Sequence, residues 1–130
     1  MTPIVGFSTF LAATVVALGF VVWTGLTARR RLHLLCVLAT GSGLALAIVY
    51  ALRVGELYDL EAAGLVTPIH LGLAKITTAA YLLPIFTGVM TWRDARWKRL
   101  HARLAWTVIA LTLVTTITGV FMLLGAERIV

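Results

Sequence analysis

Apolar residues fill four long runs of the chain, and polar residues collect in the short gaps between them. The runs cover residues 4–27, 32–52, 67–91 and 103–124. An α-helix needs about 20 residues to cross the hydrocarbon core of a bilayer, so each run predicts one transmembrane helix. Helices are the only sensible spanning element here, because every backbone polar group must find its partner inside the segment. The first run has no basic residues ahead of it and no small-residue cleavage site, which predicts a retained span rather than a signal peptide. Gly41-Ser42-Gly43 in the second run allows close helix approach. The third run opens at Thr67-Pro68, where proline loses no needed hydrogen bond, and Pro84 predicts a kink farther along.

The gaps set the orientation. Residues 92–106, WRDARWKRLHARLAW, form the only strongly polar stretch longer than a few residues, and they carry three tryptophans among the basic side chains. Of the 11 Lys and Arg, 8 lie in residues 29–31 and 93–103. Basic residues beside a span mark its cytoplasmic end, and tryptophans mark the headgroup level. Residues 54–66 hold three of the five acidic residues and no basic one, which suits the outer side. Loops 28–31 and 92–102 are therefore expected in the cytoplasm, with both termini outside. Short connections make neighbouring spans antiparallel. The expected fold is an all-α integral membrane protein: one domain over residues 1–130, an up-down-up-down four-helix bundle.

Composition agrees with this. The chain is 61% hydrophobic and 12% charged, about half the charge of a soluble domain. A net charge of +6 would suggest nucleic acid in a soluble protein. Here it reads as the positive-inside signal plus contact with anionic lipid, and no nucleic-acid partner is expected. The single Cys36 lies in an apolar run and has no intramolecular disulfide partner. No phosphate loop, nucleophile elbow or carboxylate pair is present, so no enzyme activity is expected.

The two halves resemble each other. Thr24-Gly25 leads to Arg31-Leu32-His33, and Thr87-Gly88 leads to Arg99-Leu100-His101. This predicts two tandem helical hairpins related by an axis along the membrane normal. An alternative register pairs Arg29 with His101, one helical turn away.

Two sets of residues offer chemistry. His33 and His101 each begin an even-numbered span on the basic side. Imidazoles projecting inward from diagonal helices can ligate the iron of a heme b, with Arg31, Arg99 and Arg103 placed for its propionates. The competing reading makes them interfacial histidines facing headgroups. His70 and Lys75 lie near the outer end of the third span. Lys75 can snorkel toward Glu56, Asp59 or Glu61. Otherwise the pair serves a quinone, proton or cofactor contact. A second heme at this level is not expected, because Phe7 occupies the position equivalent to His70. The threonines of the fourth span (Thr107, Thr112, Thr115, Thr116, Thr118) are expected to pack helices together.

The segments HLGLAKITTAAYLLPIFTGVMTW, KRLHARLAW and ITGV resemble the CtaM/YozB-type small four-helix membrane proteins. His70, Pro84, His101-Ala102-Arg103-Leu104-Ala105 and Thr118-Gly119 carry the resemblance, which covers residues 27–124. The chain departs from the pattern at Arg29, where the family has a histidine, and in lacking a proline between Trp106 and Thr116. A looser likeness is to transmembrane b-type cytochromes. The resemblance implies an accessory or assembly protein of the respiratory chain in the bacterial cytoplasmic (inner) membrane. Such a protein handles heme or docks terminal oxidase subunits. The histidines leave open a single-heme b-type electron carrier, and His70 with Lys75 leaves open a small channel or transporter.

Overall fold

In the computed structural model, which describes residues 1–129, helices form almost the whole chain. They are α1 (Pro3–Leu26), α2 (Arg30–Gly55), α3 (Val66–Ala80), α4 (Leu82–Arg93) and α5 (Lys98–Gly125). Short 3-10 turns occupy Glu61–Ala63 and Ala95–Trp97. Four stretches are long and apolar enough to cross a membrane: α1, α2, α3 together with α4, and Ala95–Gly125.

Hydropathy misplaces two helix starts. Arg30, Arg31, Lys98 and Arg99 read as loop residues, yet they form the first turns of α2 and α5. Long basic side chains carry their charge to water while the backbone beneath stays helical. His101 therefore lies in the first turn of α5, not in a loop ahead of the helix. Asp94 makes this possible by ending α4 in an extended conformation. Its carboxylate accepts the Arg96 backbone N–H (2.9 Å) and side-chain Nε–H (2.8 Å), which starts the next turn.

The third span divides at Tyr81. Pro84 has no N–H to donate, and its ring crowds the carbonyl of Ala80, four residues back. Tyr81 keeps helical dihedrals (φ −59°, ψ −27°). The interruption is thus in the hydrogen-bond ladder rather than in the path of the chain.

Two compact units form, one from residues 1–59 with residues 128 and 129, the other from residues 60–127. In the first, α1 packs against α2. Gly6 faces the ring of Tyr50, Thr14 faces Gly43, and Gly25 faces His33. As the number rises on one helix it falls on the other, so the two run antiparallel. A methyl group at Gly43 would meet Thr14 Oγ1 at 2.7 Å, which explains why a small residue stands there. Phe10 stacks on Tyr50 at 5.5 Å between centroids.

The turn between them is tight. Ala28 has φ +55°. The Arg29 N–H reaches the Thr24 carbonyl (3.1 Å) and the Ala28 N–H reaches that of Gly25 (3.3 Å). This is a Schellman closure with alanine where glycine is usual. Beyond α2, the Ile129 N–H bonds the Leu57 carbonyl at 3.0 Å.

In the second unit, α5 packs against both α3 and α4. Gly64, at φ +65°, ends the 3-10 turn before α3 and needs the freedom of glycine. The Thr67 hydroxyl donates to the Leu60 carbonyl and ties that turn to α3. Across the seam, Thr77 Oγ1 meets Thr115 Oγ1 at 2.8 Å, and the Tyr81 hydroxyl meets Thr112 Oγ1 at 2.9 Å.

The interior of these units is made of threonine more than of hydrocarbon. Thr14, Thr24, Thr40, Thr67, Thr77, Thr87 and Thr112 are buried, against Leu18, Ala47, Val54, Val108 and Met122. The large apolar side chains point outward instead; Phe20, Leu38, Leu52, Phe86, Ile117 and Phe121 are all more than half exposed. Lipid is as apolar as leucine, so helix contact relies on small residues and hydrogen bonds rather than hydrophobic burial.

Candidate functional site

The three histidines of the chain occupy three copies of one local arrangement. His33, on α2, directs Nδ1 at Thr24 Oγ1 (3.1 Å) and at the carbonyl oxygen of Val21 (3.0 Å). His101, on α5, directs Nδ1 at Thr87 Oγ1 (3.3 Å) and the carbonyl of Pro84 (3.0 Å). His70, on α3, directs Nδ1 at Thr118 Oγ1 (3.2 Å) and the carbonyl of Thr115 (3.1 Å). In each case the carbonyl lies three residues before the threonine on the facing helix.

The residue after each threonine is glycine, and the imidazole lies on it. A methyl group at Gly25 would sit 3.3 Å from Cε1 of His33, and one at Gly88 would sit 3.3 Å from Cε1 of His101. At Gly119 the distance to Cε1 of His70 would be only 2.8 Å. The glycine provides the recess, the threonine and the carbonyl provide the anchor.

Hydrogen-bond chemistry then assigns the proton. Thr24 and Thr87 donate their own hydroxyl hydrogens to the carbonyls of Phe20 (2.7 Å) and Leu83 (2.8 Å), and Thr118 donates to that of Thr115 (3.0 Å). Each threonine oxygen is thus left as an acceptor, and a carbonyl can only accept. Nδ1 faces two acceptors and must carry the hydrogen. Nε2 is then the nitrogen with the lone pair, the form of imidazole that binds metals. A metal-ligating histidine characteristically donates its other N–H to a carbonyl, which fixes the ring and raises its basicity.

Two of the three arrangements join the residues that the internal repeat brings together. The contacts of His33 with Thr24 and Gly25 match those of His101 with Thr87 and Gly88, so the register pairing Arg31-Leu32-His33 with Arg99-Leu100-His101 is the structural one. The third was missed in the sequence. Its signal was the Thr118-Gly119 pair, which repeats Thr24-Gly25 and Thr87-Gly88 but lies 48 residues beyond its histidine. In the first unit, Gly6 and Tyr50 pack where the second has His70 and its anchors.

The remaining candidates are peripheral to these rings. Arg31, Arg99 and Arg103 are exposed, two residues from His33 or His101 along their helices. Arg29 lies over the Trp23 ring at 4.9 Å, a cation–π contact at the end of α1. Lys75 is exposed on α3. Thr112, Thr115 and Thr118 bond across the α3–α5 seam, while Thr107 bonds its own helix at the carbonyl of Arg103. Among the described residues, no three His, Cys, Asp or Glu side chains gather as a metal site. A heme iron asks less of the protein, one or two axial imidazoles, and the anchored histidines fit that demand. No family model, curated protein or solved structure matches the chain.

Proposed function

We propose that this chain is a b-type heme-binding protein of the bacterial cytoplasmic membrane, with His33 and His101 as iron ligands. In this reading the four spans run up-down-up-down, the basic turns face the cytoplasm, and the protein serves the respiratory membrane as a heme-handling accessory. The observation that supports it is the hydrogen bonding of Nδ1 in both hairpins, which sets the tautomer that a metal-ligating imidazole adopts.

Each group then has a task. The carbonyls of Val21 and Pro84 hold the proton on Nδ1, and Thr24 and Thr87 keep the rings from turning. Gly25 and Gly88 let the rings lie close to the facing helix. Arg31, Arg99 and Arg103, each two residues from His33 or His101 in the chain, would offer charge-assisted bonds to propionates. Heme, when bound, supplies one-electron redox chemistry.

The test is a reduced-minus-oxidised absorbance spectrum of protein purified in mild detergent from heme-replete cells. A sharp α-band, lost in His33→Ala and His101→Ala, supports the reading; a protein that stays colourless after added hemin refutes it. The same anchored imidazoles serve a single-heme electron carrier. Stable co-purification of oxidase subunits would select the accessory role, and reversible reduction by a membrane electron donor without such a partner would select the carrier.

A further inference from the structure

We propose that the second basic turn holds an anionic phospholipid, seated in a hollow beside Arg96, Trp97 and Leu100. This site is independent of the heme reading. It begins from an inequality between the two hairpins. His33 follows Thr24 by 9 residues, while His101 follows Thr87 by 14. Orienting a span needs only charge, and the shorter turn carries it on Arg29, Arg30 and Arg31. The longer turn uses its extra residues to build structure. Asp94 opens a 3-10 turn over Ala95–Trp97, and an open hollow of about 350 Å³ lies there, lined by Asp94, Arg96, Trp97 and Leu100. Sites for small ligands have volumes of about 300–1,000 Å³.

The lining is charged on one part and apolar on the other. Arg96 is the cationic part. Asp94 accepts its backbone N–H at 2.9 Å and its Nε–H at 2.8 Å, so the carboxylate holds the guanidinium in place. A guanidinium carries five N–H donors and Asp94 takes one of them. The Arg96 side chain is 91% exposed, and its other donors suit the planar, two-point grip on a phosphate. Across residues 93–103, five Lys and Arg stand against that one carboxylate, so the hollow lies in a field that favours an anion.

Trp97 and Leu100 are the apolar part. Trp97 meets the ring of Phe86 edge-on, at 6.2 Å between centroids. Phe86 belongs to the α3–α4 span and is more than half exposed. The apolar wall of the hollow therefore continues from the turn onto the span. A free anion would use only Arg96. A phospholipid uses both parts, with its phosphate on Arg96 and an acyl chain along Trp97 and Phe86.

The experiment titrates the full chain in mild detergent with phosphatidylglycerol or phosphatidylcholine and counts bound lipid by native mass spectrometry. The wild type should bind one phosphatidylglycerol about tenfold more tightly than phosphatidylcholine, and Arg96→Gln should remove that preference, the worth of one charge-assisted contact. Arg93→Gln removes the same charge from the same turn but outside the lining, and should cost about twofold. Equal losses in the two variants would mean a diffuse positive field and would overturn the site. Leu100→Trp fills the hollow without touching Asp94 or Arg96, so it decides the matter if Arg96→Gln disturbs the turn. Loss of the preference in Leu100→Trp supports the site, and a preference that survives it overturns the site. Displacement of the lipid by millimolar glycerol phosphate would show that the hollow takes a free anion and would overturn the lipid assignment.

Discussion

Replacing Gly119 by alanine tests the recess beneath His70, and Gly88→Ala is its internal control. At Gly119 the new methyl would stand 2.8 Å from Cε1 of His70, whereas carbon atoms rest about 3.5–4.0 Å apart. The ring must withdraw by roughly 0.7 Å or more. Its Nδ1 bonds of 3.1 and 3.2 Å would then stretch toward about 3.8 Å, beyond hydrogen-bonding range. At Gly88 the methyl would lie 3.3 Å from His101, so a shift of about 0.2 Å suffices. The 3.0 Å bond to the Pro84 carbonyl survives that.

The energies follow. A lost hydrogen bond costs about 1 kcal/mol, and overpacking strain adds about 1–3 kcal/mol. Alanine in a helix returns about 1 kcal/mol relative to glycine. Gly119→Ala should destabilise the chain by roughly 1–3 kcal/mol, while Gly88→Ala stays within about 0.5 kcal/mol of the wild type, since gain and strain there nearly cancel. Reversible unfolding in mixed detergent micelles, followed by circular dichroism, measures both. Imidazole nitrogen NMR should show the Nδ1–H signal of His70 displaced in Gly119→Ala only. Equal stability of the two variants, with that signal unmoved, would refute the recess.

Further consequences are open to measurement. Ala28→Gly relieves a left-handed alanine and should raise stability by about 1 kcal/mol in the same unfolding assay; a loss would contradict the closure described for α1. Thr87→Val removes one of two acceptors from His101 but leaves the Pro84 carbonyl, so hemin affinity should fall about fivefold, the equivalent of about 1 kcal/mol. Unaltered affinity would mean the hydroxyl has no part in orienting the ring. Pro84→Ala restores an N–H opposite the Ala80 carbonyl, and hydrogen exchange should find the new amide protected; rapid exchange there would show that proline is not what divides α3 from α4. Ala95→Cys, introduced beside the exposed basic turn, should react with a membrane-impermeant maleimide only in inverted vesicles, whereas labelling of right-side-out vesicles would reverse the proposed topology.

The sequence made the spans legible because crossing a bilayer constrains every residue of a 20-residue stretch at once. Helix ends were less legible. Lys98 and Arg99 look like loop residues on any hydropathy scale, yet the interface lets a helix continue through them. Pro84 announced a disturbance, but its position three residues after Tyr81 had to be seen to place the break. The site divided along similar lines. Thr24-Gly25 with His33, and Thr87-Gly88 with His101, follow one another across a turn and were visible as a repeat. His70 and Thr118-Gly119 belong to helices separated by a whole hairpin, and nothing local connects them. The threonines also hid their role, since a buried threonine and a lipid-facing one have the same letter, and only packing separates Thr112 from Thr107.

The hydroxyl bonds bear on how such a chain enters the bilayer. Thr14, Thr24, Thr40, Thr87 and Thr112 each donate to the carbonyl four residues earlier in their own helix. These groups satisfy one another as soon as the helix forms, so α1 and α2 can leave the translocon one at a time with little polar cost. Thr77 and Tyr81 differ, because their hydroxyls bond to Thr115 and Thr112 of α5. In a bilayer, the α3–α4 span would gain these two bonds only once the last helix is in place.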